Sequence, residues 1–159
     1  MAMTMKTDGL DELSRMLYQL GEQAEGIAAK ALYQGADVMA NRFSSAAAQI
    51  RTEPFKGKRD HRLPSPEEKA ALQGKTGIAR FNKNGSEVDT VVGISRNAGY
   101  VTLGNRKTAV IEIARSINSG TSFMKKQPVF RKAASGGQAA ATGAIVAKAE
   151  ELLKQITEQ

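Results

Sequence analysis

The sequence predicts an α+β fold: two N-terminal helices, an antiparallel β-meander, and a long C-terminal helix packed against it. Three observations lead there. Apolar residues recur at helical spacing at both ends of the chain. β-branched residues bounded by turn dipeptides crowd the middle. The order helix, helix, loop, sheet, helix then places the helices together on one face of the sheet.

The first helix covers residues 8–20. Asp8 suits its N-cap, and Asp11 and Glu12 fall in the first turn, where the helix dipole favours acids. Leu10, Leu13, Leu17 and Leu20 form a narrow apolar seam, and Gly21 is expected to end or interrupt the helix. The second helix spans 23–48. Ala28, Ala31, Leu32, Gly35, Met39, Phe43 and Ala46 line one side, with Ile27 and Val38 on the flank. Small residues on this stripe allow another backbone to approach closely, either this chain's own or a neighbouring subunit's.

Residues 49–76 hold Pro54, Pro64, Pro66 and the cluster Lys56, Lys58, Arg59, Asp60, His61, Arg62. A run this long without regular structure is functional or disordered, and a mobile basic loop is expected. Within it Ser65 caps a short helical turn over 67–72, after Pro66. Strands follow at Ile78–Phe81, Glu87–Ile94 and Tyr100–Leu103, with turns at Asn84-Gly85 and Asn97-Ala98-Gly99. Val110, Ile113, Ala114 and Ile117 have helical spacing but β-branched content, and the reading settles on a short helix over 109–118. Pro128 starts another helix at its first position, which Gly136-Gly137 breaks. The last helix, 138–157, is expected to bury Ile145, Ala149, Leu152 and Ile156, with Leu153 beside them.

At 159 residues the chain is expected to form a single domain, 1–159. Of its 41% hydrophobic residues, 24 are alanine, so the core is modest and some stability is expected from a partner or from further copies. Cysteine is absent, which excludes disulfides and thiolate chemistry. No apolar run approaches the roughly 18 residues of a membrane span, and Met1–Lys6 lacks the regions of a signal peptide. A soluble protein that is not exported and makes no membrane contact is therefore expected.

The net charge of +7 is unevenly placed. Residues 8–48 carry −3, 51–83 carry +5, and 96–132 carry +7 with Glu112 as their single acid. Such a surface attracts polyanions over about a Debye length, roughly 8–10 Å. Arg51, Lys56, Lys58, Arg59 and Arg62 are the candidate contacts to DNA or an acidic partner. Without aromatic stacking residues they suit phosphate contact and not sequence readout.

Nothing in the sequence argues for an enzyme. His61 is alone, without the positioned partner a general base needs. Gly74-Lys75-Thr76 resembles the end of a nucleotide-binding loop, but Lys69 stands where its first glycine belongs. Glu67-Glu68, Glu150-Glu151 and Asp11-Glu12 read as helix-end and solvated charges, so no catalytic, cofactor or metal site is expected.

One resemblance names a function. Gly9-Leu10-Asp11-Glu12-Leu13, the alanine-rich helix, Thr76-Gly77 before the strands, and the run Asn118 to Ala133 resemble the tail-component family of long-tailed phages. Gly120, Thr121, Met124, Gln127, Pro128, Phe130, Arg131 and Ala133 match that family's pattern of Gly-Thr, a gap with Met, then Gln-Pro and an aromatic-Arg pair before a final helix. Asn118-Ser119 replaces the family's aromatic or acidic residue before Gly-Thr, and the 50–75 region is longer and more basic.

The resemblance implies a virion protein of the neck or tail, assembled in the host cytoplasm, acting as tail-completion, terminator or head-closure factor. It implies a homo-oligomeric ring, a hexamer, whose partners are other neck and tail proteins and, non-specifically, packaged DNA. In physical terms Gly120 supplies a positive φ for a sharp turn, Thr121 bonds nearby backbone, and Phe130 plugs the space between helix and sheet. The alternative is a free-standing, non-specific nucleic-acid binder using the basic central segment.

Overall fold

A computed structural model describes residues 10–58, 60–84 and 87–158; the side chains of 10–19, 83, 84, 87 and 88 fall outside that description. Helices and short antiparallel strands are mixed. Helix α1 (Leu10–Ala48) is followed by α2 (Pro66–Leu72). Six strands come next: β1 (Thr76–Ile78), β2 (Asn82–Asn84), β3 (Glu87–Asp89), β4 (Val92–Ile94), β5 (Tyr100–Leu103) and β6 (Arg106–Ala109). Helices α3 (Val110–Ser119) and α4 (Val129–Thr157) complete the chain.

The expected pair of N-terminal helices is one helix of 39 residues, about 58 Å long at 1.5 Å per residue. Gly21 does not interrupt it. A helical glycine costs only about 1 kcal/mol relative to alanine, and Glu22, Gln23 and Ala24 beyond it favour helix. Helix α4 likewise runs through Gly136-Gly137, where a break was expected. The proposed cap Asp8 and the turn residue Gly85 lie outside the described residues.

Helices α1 and α4 pack antiparallel, and glycines set their separation. A Cβ on Gly35 would collide with the Ile145 side chain and lie 3.0 Å from the Ala141 carbonyl oxygen. A Cβ on Gly137 would lie 2.6 Å from Met39 Sδ and 2.8 Å from Arg42 Cδ. The small-residue stripe of α1 therefore receives this chain's own last helix. Further along the same seam Phe43 and Phe130 stack with centroids 6.0 Å apart.

No three-stranded meander forms among the described residues. Strands β1 and β4 pair, and β2 and β3 pair nested inside them. The register slips by one residue between the two ladders, from Ile78 opposite Val92 to Asn82 opposite Asp89. Three residues, 79–81, thus face two, 90–91, and the extra residue is a bulge that splits the expected strand Ile78–Phe81. The Ala79 amide still donates to the Val91 carbonyl at 2.8 Å, and the Thr90 hydroxyl to the Ala79 carbonyl at 2.9 Å. At the far end of the bulge Phe81 meets Tyr33 of α1, their centroids 6.2 Å apart.

Strand β5 pairs forward with β6 and not back to β4. Leu103 pairs with Arg106 across Gly104-Asn105, and Gly104 takes the φ of +60° that such a two-residue turn requires. Val101 and Leu103 point inward while Tyr100 and Thr102 point out, the period-two alternation of a half-buried strand. Strand β6 feeds directly into α3, the short helix expected there. Its Val110, Ile113, Ala114 and Ile117 are all buried.

These α3 residues form the core with Ala47, Ile50, Leu72, Val101 and Met124. Helix α4 contributes less than its spacing suggests. Ile145, Ala149, Leu152 and Ile156 are only half-buried, and Leu153 is exposed.

Candidate functional site

The run that carries the family resemblance begins at the end of α3. Gly120 caps that helix with φ +77°, and its amide donates to the Ser116 carbonyl at 2.9 Å. A Cβ there would lie 2.9 Å from the Lys126 Cβ, so both conformation and space call for glycine. The Thr121 hydroxyl then accepts from the amides of Phe123 (3.2 Å) and Met124 (3.1 Å), closing the turn. Met124 drops into the core.

Gln127 is 6% exposed, and its side-chain amide works as a surrogate strand partner. Its Oε1 accepts from the Arg51 amide at 2.9 Å, and its Nε2 donates to the Arg51 carbonyl at 3.0 Å. Its own amide donates to the Ile117 carbonyl at 2.7 Å. One residue thereby ties the end of α3 to the chain leaving α1. Pro128 stands at the N-cap of α4, one position before the helical start expected for it. Phe130 is half-buried beside Phe43 and Ile94. Arg131 is exposed, and its amide donates to the Asn118 side-chain oxygen at 3.0 Å.

The basic loop is pinned along this run and not loose. The Arg62 amide donates to the Phe123 carbonyl (3.1 Å), and the Lys125 amide donates to the Arg62 carbonyl (2.8 Å). His61, at φ +41° and exposed, donates its amide to the Ser122 carbonyl (3.0 Å). The Glu53 carboxylate accepts from the Leu63 amide at 2.6 Å. Ser65 caps α2 as expected and forms a full capping box with Glu68.

Arg62 is withdrawn from the set of candidate polyanion contacts. Its guanidinium meets Glu68 in a two-pronged pair, both distances 2.7 Å, and also donates to the Leu63 carbonyl at 2.9 Å. The two side chains are 10% and 6% exposed. The arginine also lies over the Phe55 ring, 5.3 Å from its centroid. Its charge is neutralised inside the fold. Arg51, Lys56 and Lys58 are exposed, and Arg59 lies outside the described residues.

Arg51 has company that sequence reasoning missed. A groove of about 510 Å³ between the end of α1 and the start of α4 is lined by Arg42, Arg51, Lys126 and Lys132, and by no carboxylate. Among the described residues none of these four cations forms an ion pair. They are scattered over 90 positions of sequence, which is why no local motif marks them. One signal was legible: the first turn of α4 contains Arg131 and Lys132 and no acid, the wrong sign for a helix N-terminus.

Among the described residues no group of three or more histidines and carboxylates stands close enough to hold a metal ion. No described helix is long and apolar enough to cross a membrane. Comparison of the chain with family models, with curated proteins and with solved structures finds no match.

Proposed function

We propose that this chain is a structural protein of the head–tail junction of a long-tailed phage. In this reading it assembles into a homo-oligomeric ring, a hexamer, that joins head to tail as a completion, terminator or closure factor. Its partners are other neck and tail proteins, its place is the virion, and it performs no catalysis.

The observation that carries this reading is the motif run itself. Gly120, Thr121, Met124 and Gln127 lie in one continuous segment that turns, enters the core and ties α3 to the segment after α1. A shared architectural task for these residues of the family pattern supports the reading of a structural protein. The half-covered apolar faces of α1 and α4 offer surface for a neighbouring copy. A ring closes when one such heterologous contact repeats around an axis.

Mass measurement on the pure protein and on isolated neck complexes tests the proposal. A closed oligomer in the complexes is expected, and a monomer in both contradicts it. A second reading, a free-standing non-specific nucleic-acid binder, draws on the exposed Lys56 and Lys58 and the basic groove. It expects no association with virions.

A further inference from the structure

We infer that the groove between the end of α1 and the start of α4 is a binding site for the phosphodiester backbone of duplex DNA, with Arg42, Arg51, Lys126 and Lys132 as its contacts. The inference deepens the nucleic-acid-binding reading above and rests on it: it names the surface and the kind of nucleic acid, so binding that survives loss of the groove cations would sink the assignment while leaving that reading standing.

The cations come from separate segments that only the fold unites. Two buried devices hold the surface in shape. Gln127 grips the Arg51 backbone from both sides, fixing where that arginine leaves the chain. Gly137 of α4 leaves the space across which the Arg42 stem lies. Lys132 sits in the first turn of α4, where the dipole disfavours a cation, so helix stability does not account for its presence. The like charges also repel one another with no carboxylate in the lining to relieve them. A polyanion relieves that repulsion.

The lining also selects among polyanions. Its apolar members are Ala46, Pro128, Val129 and Ala133, none large enough to anchor a protein partner in the way aromatic residues do. It contains no aromatic ring on which an unpaired base could stack, which favours duplex over single strand. The four cations are assigned to phosphates, so binding without sequence preference is expected.

The test is salt-dependent binding of the full chain to a labelled mixed-sequence duplex of about 20 base pairs, between about 50 and 200 mM KCl. Four phosphate contacts give a slope of log K against log salt of about −3.6. Lys126→Gln with Lys132→Gln is expected to make that slope shallower by about two. Arg42→Gln with Arg51→Gln, an independent pair, is expected to do the same and keeps the test readable if the first pair disturbs the fold. Lys56→Gln with Lys58→Gln is expected to leave the slope unchanged. Unaltered slopes in both groove pairs overturn the assignment, as does a loss confined to the Lys56 and Lys58 pair. Displacement of the duplex by polyglutamate at matched charge concentration also overturns it, because the groove then fits an acidic protein partner equally well.

Discussion

The two ends of this molecule are held together differently. Around α3, large side chains are sealed: Leu72 and Ile117 are 0% exposed, and Ile50 and Ile113 nearly so. Along the α1–α4 pair the buried positions are small, namely Ala31, Gly35, Ala36, Gly137 and Ala141. The large residues there lie half in solvent, with Val146 at 49% and Leu153 at 40% exposure. Small residues form the seam that α1 and α4 share, so the larger apolar residues beside it stay half in solvent however closely the backbones approach. Stabilisation by apolar burial is therefore concentrated at the compact end. The helical pair leaves apolar surface exposed, the surface that the proposed ring would use.

Substitutions at the compact end should cost most. Glu68→Ala leaves the Arg62 guanidinium buried without its carboxylate and removes the capping box. A loss of about 3–5 kcal/mol in denaturant unfolding is expected. Ile117→Ala opens a cavity among Leu72, Val101 and Ile113 and should cost about 2–5 kcal/mol. Leu153→Ala on the helical pair should stay within about 0.5 kcal/mol for the isolated monomer. Equal losses at Ile117 and Leu153 would erase the contrast between the two ends.

Glycines sharpen the comparison within one helix. Gly35→Ala drives a methyl into Ile145 and against the Ala141 carbonyl, and should destabilise by about 1–3 kcal/mol. Gly21→Ala meets nothing within 4 Å and should stabilise by about 0.5–1 kcal/mol through helix propensity. Opposite signs in thermal unfolding are the expected result. Two stabilised variants would mean that the α1–α4 seam is looser than described.

The smallest effect concerns acid. Hydrogen bonding from the Ser65 hydroxyl, and then from its own backbone amide, holds the Glu67 carboxyl below the usual glutamate range. A folded pKa below the unfolded one stabilises above the unfolded value, and the stabilisation is lost as pH falls through the folded value. The unfolding midpoints of wild type and Glu67→Gln should therefore differ slightly near neutrality and converge on acidification.

What could be read locally was read correctly where the cause is local. The Ser65 cap, the Gly120 turn, the Thr121 hydroxyl bonds and the buried face of α3 all follow from conformational preferences over three to seven residues. Those preferences are already present in the isolated segment, so the amino-acid order determines them. Where a distant segment outweighed the local signal, the reading failed. Gly136-Gly137 reads as a helix break, yet α4 runs on because Gly137 packs against Met39 and Arg42 of α1, and Gly21 is carried through by its helix-favouring neighbours because one helical glycine costs only about 1 kcal/mol.

Tertiary structure likewise decided the strand pairing, the pinning of the basic loop and the fate of its charges. Nothing within residues 49–76 indicates that the loop will lie along the 121–127 segment, because its partners there are backbone carbonyls and an amide some 60 positions away, groups that nearly every residue has. Arg62 is six residues from Glu68, but only the capped turn between them brings the two into a buried pair. The groove is the extreme case. Arg51 was legible as a candidate polyanion contact, but Arg42, Lys126 and Lys132 read individually as ordinary surface charges. The antiparallel contact of two long helices and the amide of Gln127 make them one surface, because electrostatic fields add by distance in space and not by position along the chain.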